Sequence, residues 1–321
     1  MSIPGEQRGR PAQARRRDVP ITPGRVGALG SLIVVAAAIV AIVLGSGRGP
    51  SSHPASLGST ASAPPPQSKQ TTRTTVQASS ASVPILVYHV INAQPSGSSA
   101  NPALYVPASE FSSQMQTLKT NGWHAVTLNQ VEAYWTRGAS LGRGKPIVIT
   151  FDTGYASQYT NALPVLKGLG WPAVENLQPN GLSASDGGLT DAQIHGLIAA
   201  GWELDTQGLQ HTDLTTLDRV QVANDLTAAR QMLQTSYGVP VNWFSYPSGD
   251  YDPTLTAAVR TAGYVGATTV NQGWASPQQD RFRLPRLPVT AGTTPSQLLA
   301  QIAAARADTS VPSSYSALGL A

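Results

Sequence analysis

The sequence predicts an α/β fold, a seven-stranded (β/α) barrel preceded by one transmembrane helix. Three observations predict it. From Val83 onward, short apolar runs alternate with helix-period patterns; polar residues collect at the C-terminal ends of three of those runs; and an uncharged, mostly apolar segment of 19 residues lies upstream. Strands separated by helices pair in parallel through right-handed crossovers, and a barrel gathers its functional groups where its strands end.

The N-terminal part divides by composition. Residues 1–50 hold seven arginines against Glu6 and Asp18, a net of +5, so the whole-chain net of +4 originates there and the remaining chain sums to −1. Nucleic acid is therefore not an expected partner, because no basic stripe with interleaved aromatics occurs in the body. Residues 26–44, VGALGSLIVVAAAIVAIVL, have the length needed to span a bilayer as a helix. Six arginines precede this run, so residues 1–25 are expected in the cytoplasm and the rest of the chain outside, on a single-pass signal anchor of the cell membrane. The competing reading, a cleaved signal peptide, exports the body as well. Residues 45–82 are Ser, Thr, Ala, Pro and Gly with almost no large apolar side chain, a composition that cannot offset its own ordering entropy. They are expected to act as an extended tether. The folded domain is expected over residues 83–308, with a tail at 309–321. The chain has no cysteine, which excludes disulfides, thiolate metal sites and a cysteine nucleophile.

Within the domain the expected strands are residues 85–88, 124–127, 147–151, 173–177, 203–206, 243–246 and 266–269. The clearest helix is 218–237, with Asp218 as N-cap, Gln221 in the capping-box position, Val222, Leu226, Ala229 and Leu233 on one face, and Gly238 as the stop. A second runs from Thr190 to Ala200 with Ile194, Leu197 and Ile198 inward. A third carries Phe111, Met115 and Leu118 ahead of Gly122.

The chemistry-bearing residues sit where the strands end. Asp152 and Thr153 follow the third strand, Gln207 and His211 the fifth, and Tyr246, Pro247 and Ser248 the sixth. In PILVYHVI (84–91), VITFDTGY (148–155), GWELDTQGLQHTDLTTL (201–217), FSYPSGDYD (244–252) and RFRLPRLPV (281–289), the region from Val83 to Thr290 resembles the polysaccharide deacetylase family, the NodB-homology domain of carbohydrate esterase family 4. The resemblance implies a distorted, seven-stranded TIM-like barrel. It also implies a hydrolase of carbohydrate metabolism that acts on, or recognises, N-acetyl groups of extracytoplasmic glycans, either peptidoglycan or another N-acetylated polysaccharide of the cell wall.

In the family pattern T-F-D-D-G the first aspartate is the general base and the second a metal ligand, and a later H-x-x-x-H supplies two more ligands. Here the base position is Asp152, the second aspartate is Thr153, the first histidine is Gln207, and the second histidine is kept as His211. A divalent, zinc-type metal is the implied cofactor, but a Thr hydroxyl and a Gln amide are poor substitutes for carboxylate and imidazole. Asp205, two residues before Gln207, shares its face at about 6.6 Å and could join His211 in a displaced site; the alternative is a polar pocket without metal. Ser248 is placed to supply a backbone N–H to an oxyanion. Ser245 stands where the family often has an arginine, and no histidine in RLPV (286–289) fills the general-acid position. His89, Tyr246, Pro247 and Trp274 are the candidate substrate-binding residues, with core packing the alternative for Trp274. These losses leave two functional readings open: an N-deacetylase with an altered site, or an impaired pseudoenzyme that binds or scaffolds glycan.

Overall fold

The computed structural model describes residues 79–306, except Ser98, and residues 311–316. The predicted N-terminus, membrane anchor and tether up to residue 78 lie outside the described residues. Among the described residues no helix is long and apolar enough to cross a membrane.

The apolar runs become strands: β1 (Val83–Tyr88), β2 (Trp123–Val126), β3 (Lys145–Thr153), β4 (Val174–Leu177), β5 (Glu203–Thr206), β6 (Trp243–Ser245) and β7 (Gly266–Thr268), each within a few residues of the expected range. Two further strands, β8 (Trp274–Ala275) and β9 (Leu287–Pro288), are two residues long, too short to leave a periodic signal. The helices between them are α1 (Ala108–Thr120), α2 (Leu128–Arg137), α3 (Leu163–Leu169), α4 (Asp191–Ala199), α5 (Arg219–Tyr237), α6 (Pro253–Thr261) and α7 (Pro295–Ala305). The capping box expected from sequence is formed, with Asp218 capping α5 together with Gln221, and the structure adds a second one in which Thr190 caps α4 with Gln193. Gly238 ends α5 in the left-handed conformation that glycine adopts without steric cost.

The strands form one curled sheet in the order β7-β6-β5-β4-β3-β1-β8, with β2 beside β3 and β9 beside β1. All pairings are parallel except β1 with β8, so the expected seven-stranded parallel barrel is replaced by a mixed, nine-stranded sheet. The edge at β7 is linked to β1 through residues 284–289. Leu284 N–H donates to Ala267 O at 2.9 Å and Thr269 N–H to Leu284 O at 2.8 Å; Leu287 then pairs with Leu86, and Val289 N–H donates to Val87 O at 3.1 Å.

Alternation divides each strand between two environments. Phe151, Leu86 and Leu204 face the larger core under the helices, while Ile85, Val148, Val174 and Trp243 fill the inside of the curl together with Leu128, Val131 and Trp135 of α2. Apolar side chains thus plug the interior at one end. At the other, the C-terminal ends of the parallel strands, the interior turns polar.

Candidate functional site

A cleft of about 890 Å³ opens at those strand ends. His89 after β1, Asp152 and Thr153 of β3, Gln178 after β4, Gln207 and His211 after β5, and Ser248 after β6 all line it. Two of these residues hold unusual backbone conformations: Thr153 has φ 82° and Ser248 φ 53°. A β-branched residue at positive φ is a steric outlier costing about 1–3 kcal/mol, and such strain gathers at functional sites.

Asp152 is the electrostatic centre. Its side chain is 2% exposed, and both oxygens are gripped by Arg286, which is wholly buried: Nη1 to Oδ1 and Nη2 to Oδ2, each at 2.8 Å. Asn176 Nδ2 donates to Oδ1 at 2.7 Å, and Ser245 Oγ and Gln207 Nε2 approach Oδ2 at 3.2 and 3.3 Å. Burial by itself would push this carboxyl up. The Arg286 charge and hydrogen bonds outweigh it and hold the pKa below the ordinary aspartate value. Asp152 is therefore an ionised, fully engaged carboxylate, and a weak base. Arg286 is anchored in turn by Nε to Thr269 O at 2.8 Å, Nη1 to Thr150 Oγ1 at 3.1 Å and Nη2 to Ser245 Oγ at 2.9 Å.

Sequence reasoning missed this arginine. Ser245, noted as lacking a family arginine, is the residue whose hydroxyl receives Arg286, so the guanidinium reaches the site from the closing segment instead of from β6. The signal was a lone charge between Pro285 and Leu287 in an apolar stretch. Gln178 and Asn176 were missed as well, although polar residues at the end of β4 follow the pattern seen at its neighbours.

The other groups form a hydrogen-bonded row. Thr153 Oγ1 donates to Gln207 Oε1 at 3.3 Å, and Gln178 Nε2 lies 3.0 Å from Gln207 Oε1 and 3.2 Å from His211 Nδ1. His211 Nε2 lies 3.0 Å from Ser248 Oγ. His89 is half-buried, and burial lowers its pKa, with the Asp152 charge opposing that shift. It is a neutral ring at neutral pH.

Several predicted placements need correction. Asp205 does not join His211: it is wholly buried, is not among the cleft-lining residues, and its Oδ1 accepts from the backbone N–H groups of Asn242 and Trp243 at 2.9 and 2.8 Å. The shared face was read correctly, but two residues of strand rise put Asp205 one layer below Gln207. Burial and then the Glu203 charge push its pKa well up. Tyr246 and Pro247 are buried and do not line the cleft; the Tyr246 hydroxyl donates to Phe282 O at 2.9 Å. Trp274 belongs to β8, away from the strand ends that form the cleft. It packs edge-on against Trp123 and donates Nε1–H to Ile302 O at 2.7 Å.

The fit to a divalent metal is poor. Among the described residues no group of three or more His, Asp or Glu side chains is arranged to hold one. Of the three His and Asp side chains that line the cleft, His89, Asp152 and His211, Asp152 has both oxygens on Arg286 and His211 has a polar neighbour at each ring nitrogen. Binding would have to break these contacts, and no step is derived through a metal.

Comparison with known proteins agrees with the fold. Residues 141–267 match the family model described as polysaccharide deacetylase. A Bacillus subtilis protein, YxkH, whose name places it among polysaccharide deacetylases, is 29% identical over 222 residues, covering 69% of this chain and 76% of its own. The poly-beta-1,6-N-acetyl-D-glucosamine N-deacetylase of Staphylococcus epidermidis is 26% identical over 194 residues, 56% of this chain and 66% of its own. Among solved structures, the Streptococcus pyogenes deacetylase PplD in complex with acetate superposes with a TM-score of 0.65 at 24% identity, over 70% of this chain and 99% of its own.

Proposed function

We propose that this chain, whose folded body is a polysaccharide deacetylase domain, recognises N-acetylated glycan of the cell envelope in the cleft at its strand ends, without metal-dependent deacetylation. One observation carries the reading: the positions where the family resemblance calls for a base and metal ligands are knitted into hydrogen bonds with one another or with neighbouring side chains. Asp152 is held by Arg286, Thr153 and Gln207 bond each other, and His211 is flanked by Gln178 and Ser248. The glycan class rests on the relatives, one of which is named for poly-beta-1,6-N-acetyl-D-glucosamine.

In this reading the fold supplies the shape of a sugar groove, and the cleft offers amides and hydroxyls suited to sugar hydroxyl and acetamide groups. Buried polar groups that already satisfy one another cost little to keep, whereas a ligand that leaves one unpaired is rejected. The membrane helix at 26–44 and the tether at 45–82 belong to the same proposal, and would hold the cleft outside the cell within reach of the wall.

The test is a titration of the full-length chain with N-acetylglucosamine oligomers, with and without chelator, followed by assay for released acetate. Binding that is indifferent to chelator, with no acetate, is the expected result. Acetate release that chelator abolishes would overturn the proposal in favour of a deacetylase with a rebuilt metal centre.

A further inference from the structure

We infer that Arg286, Asp152, Gln207, Gln178 and His211 form a polarity-ordered hydrogen-bond row that fixes His211 as its Nε2–H tautomer and frees the Ser248 hydroxyl hydrogen to donate into the cleft. The inference rests on the glycan-binding reading and names the group that is read: a carbonyl acceptor such as that of an acetamide.

Each link sets the next. The bidentate guanidinium makes Asp152 an acceptor, so the Gln207 atom 3.3 Å from its Oδ2 is the amide nitrogen. Gln207 Oε1 then faces Gln178, and the atom 3.0 Å away must donate, which makes it Nε2. The same nitrogen lies 3.2 Å from His211 Nδ1 and points its second hydrogen there. Nδ1 is thereby an acceptor, and a ring that carries one proton holds it on Nε2, 3.0 Å from Ser248 Oγ. Reversing Gln207 sets two acceptors face to face at Asp152, and reversing Gln178 sets two amide oxygens face to face between the glutamines. Thr153 Oγ1, donating to Gln207 Oε1 at 3.3 Å, reinforces the same sense.

With Ser248 Oγ accepting from His211, its own hydrogen is not needed inside the row. Ser248 and His211 are exposed at the cleft, while Gln178 and Gln207 are buried behind them. His211 is thus a donor and a positioning residue for Ser248. It is the opposite arrangement to a base that draws a proton from serine.

Nitrogen-15 NMR of the full-length chain with labelled histidine, at about pH 8, reads the tautomer directly; the His211 signals are those lost in His211→Asn. The expected result is a ring protonated at Nε2 and bare at Nδ1. A ring protonated at Nδ1 would overturn the inference. In Gln178→Glu the carboxylate accepts from Nδ1–H, so the tautomer should reverse; a variant that binds as wild type with its tautomer unchanged would also overturn it. For Ser248→Ala, affinity for N-acetylglucosamine oligomers should fall about three- to tenfold, the loss of one hydrogen bond, while affinity for the matching glucosamine oligomers holds. Equal retention of both would overturn the Ser248 assignment. Absence of binding to either oligomer by the wild type, together with the Nε2–H tautomer, would sink the glycan reading while upholding the row.

Discussion

Asp152 and Glu175 sit on adjacent strands, one step out of register, and both are buried; the chain treats them in opposite ways. Asp152 faces Asn176 across β3 and β4, inside the curl, with every oxygen partnered. Glu175 faces Phe151 and Leu204, on the side covered by helices, and among the described residues neither of its oxygens has a hydrogen-bond partner. The two pKa values diverge accordingly. Asp152 is held low by Arg286, whereas burial, and then the Asp152 charge, push Glu175 well above the ordinary glutamate value. Glu175 is an acid kept neutral by its surroundings. Depth alone decides neither case; the partner does.

The largest way to break the comparison is to remove the partner. Arg286→Met leaves an uncompensated buried carboxylate and releases the closing segment between β7 and β1, and should cost about 3–5 kcal/mol in urea denaturation at neutral pH. A loss under about 1 kcal/mol would show that Asp152 is not held by this arginine.

Glu175→Met should do the reverse and stabilise by about 1–3 kcal/mol at neutral pH, because it removes an unsatisfied carboxyl from an apolar layer. The two sites should also respond to pH with opposite signs. Asp152, lowered on folding, contributes stability that is present above its unfolded value and is lost as pH falls through the folded one. Glu175, raised on folding, binds a proton that the unfolded chain has released, so its penalty is absent below about 4.5 and grows as pH rises toward the folded value. The advantage of Glu175→Met should therefore shrink in acid, while the deficit of Arg286→Met shrinks there too, from the other direction. Unfolding curves at stepped pH read both.

The smallest effect tests backbone strain. Thr153→Asn places a residue tolerant of positive φ where a β-branched one now sits at 82°, and should gain about 1 kcal/mol. A loss of stability instead would mean that the Thr153 hydroxyl bond outweighs the strain.

How much of this was legible follows from the range of each interaction. The strands, the capping boxes and the glycine stops are local, and the sequence shows them at their positions, as it shows Asp152, His211 and Ser248 at strand ends. Arg286 was hidden because its role exists only once residues 284–289 link the two sides of the sheet, a contact spanning 134 residues to Asp152. Asp205 misled because alternation reports the face of a strand but not the depth. The solitude of Glu175 was equally out of reach, since Phe151 and Leu204 become its neighbours only through parallel pairing.

The central claim, a family fold whose metal positions have become a closed hydrogen-bond row, is tested most directly by calorimetric zinc titration of the full-length chain purified without chelator. The account predicts no stoichiometric uptake by the wild type. Stoichiometric binding, abolished by His211→Ala, would contradict it.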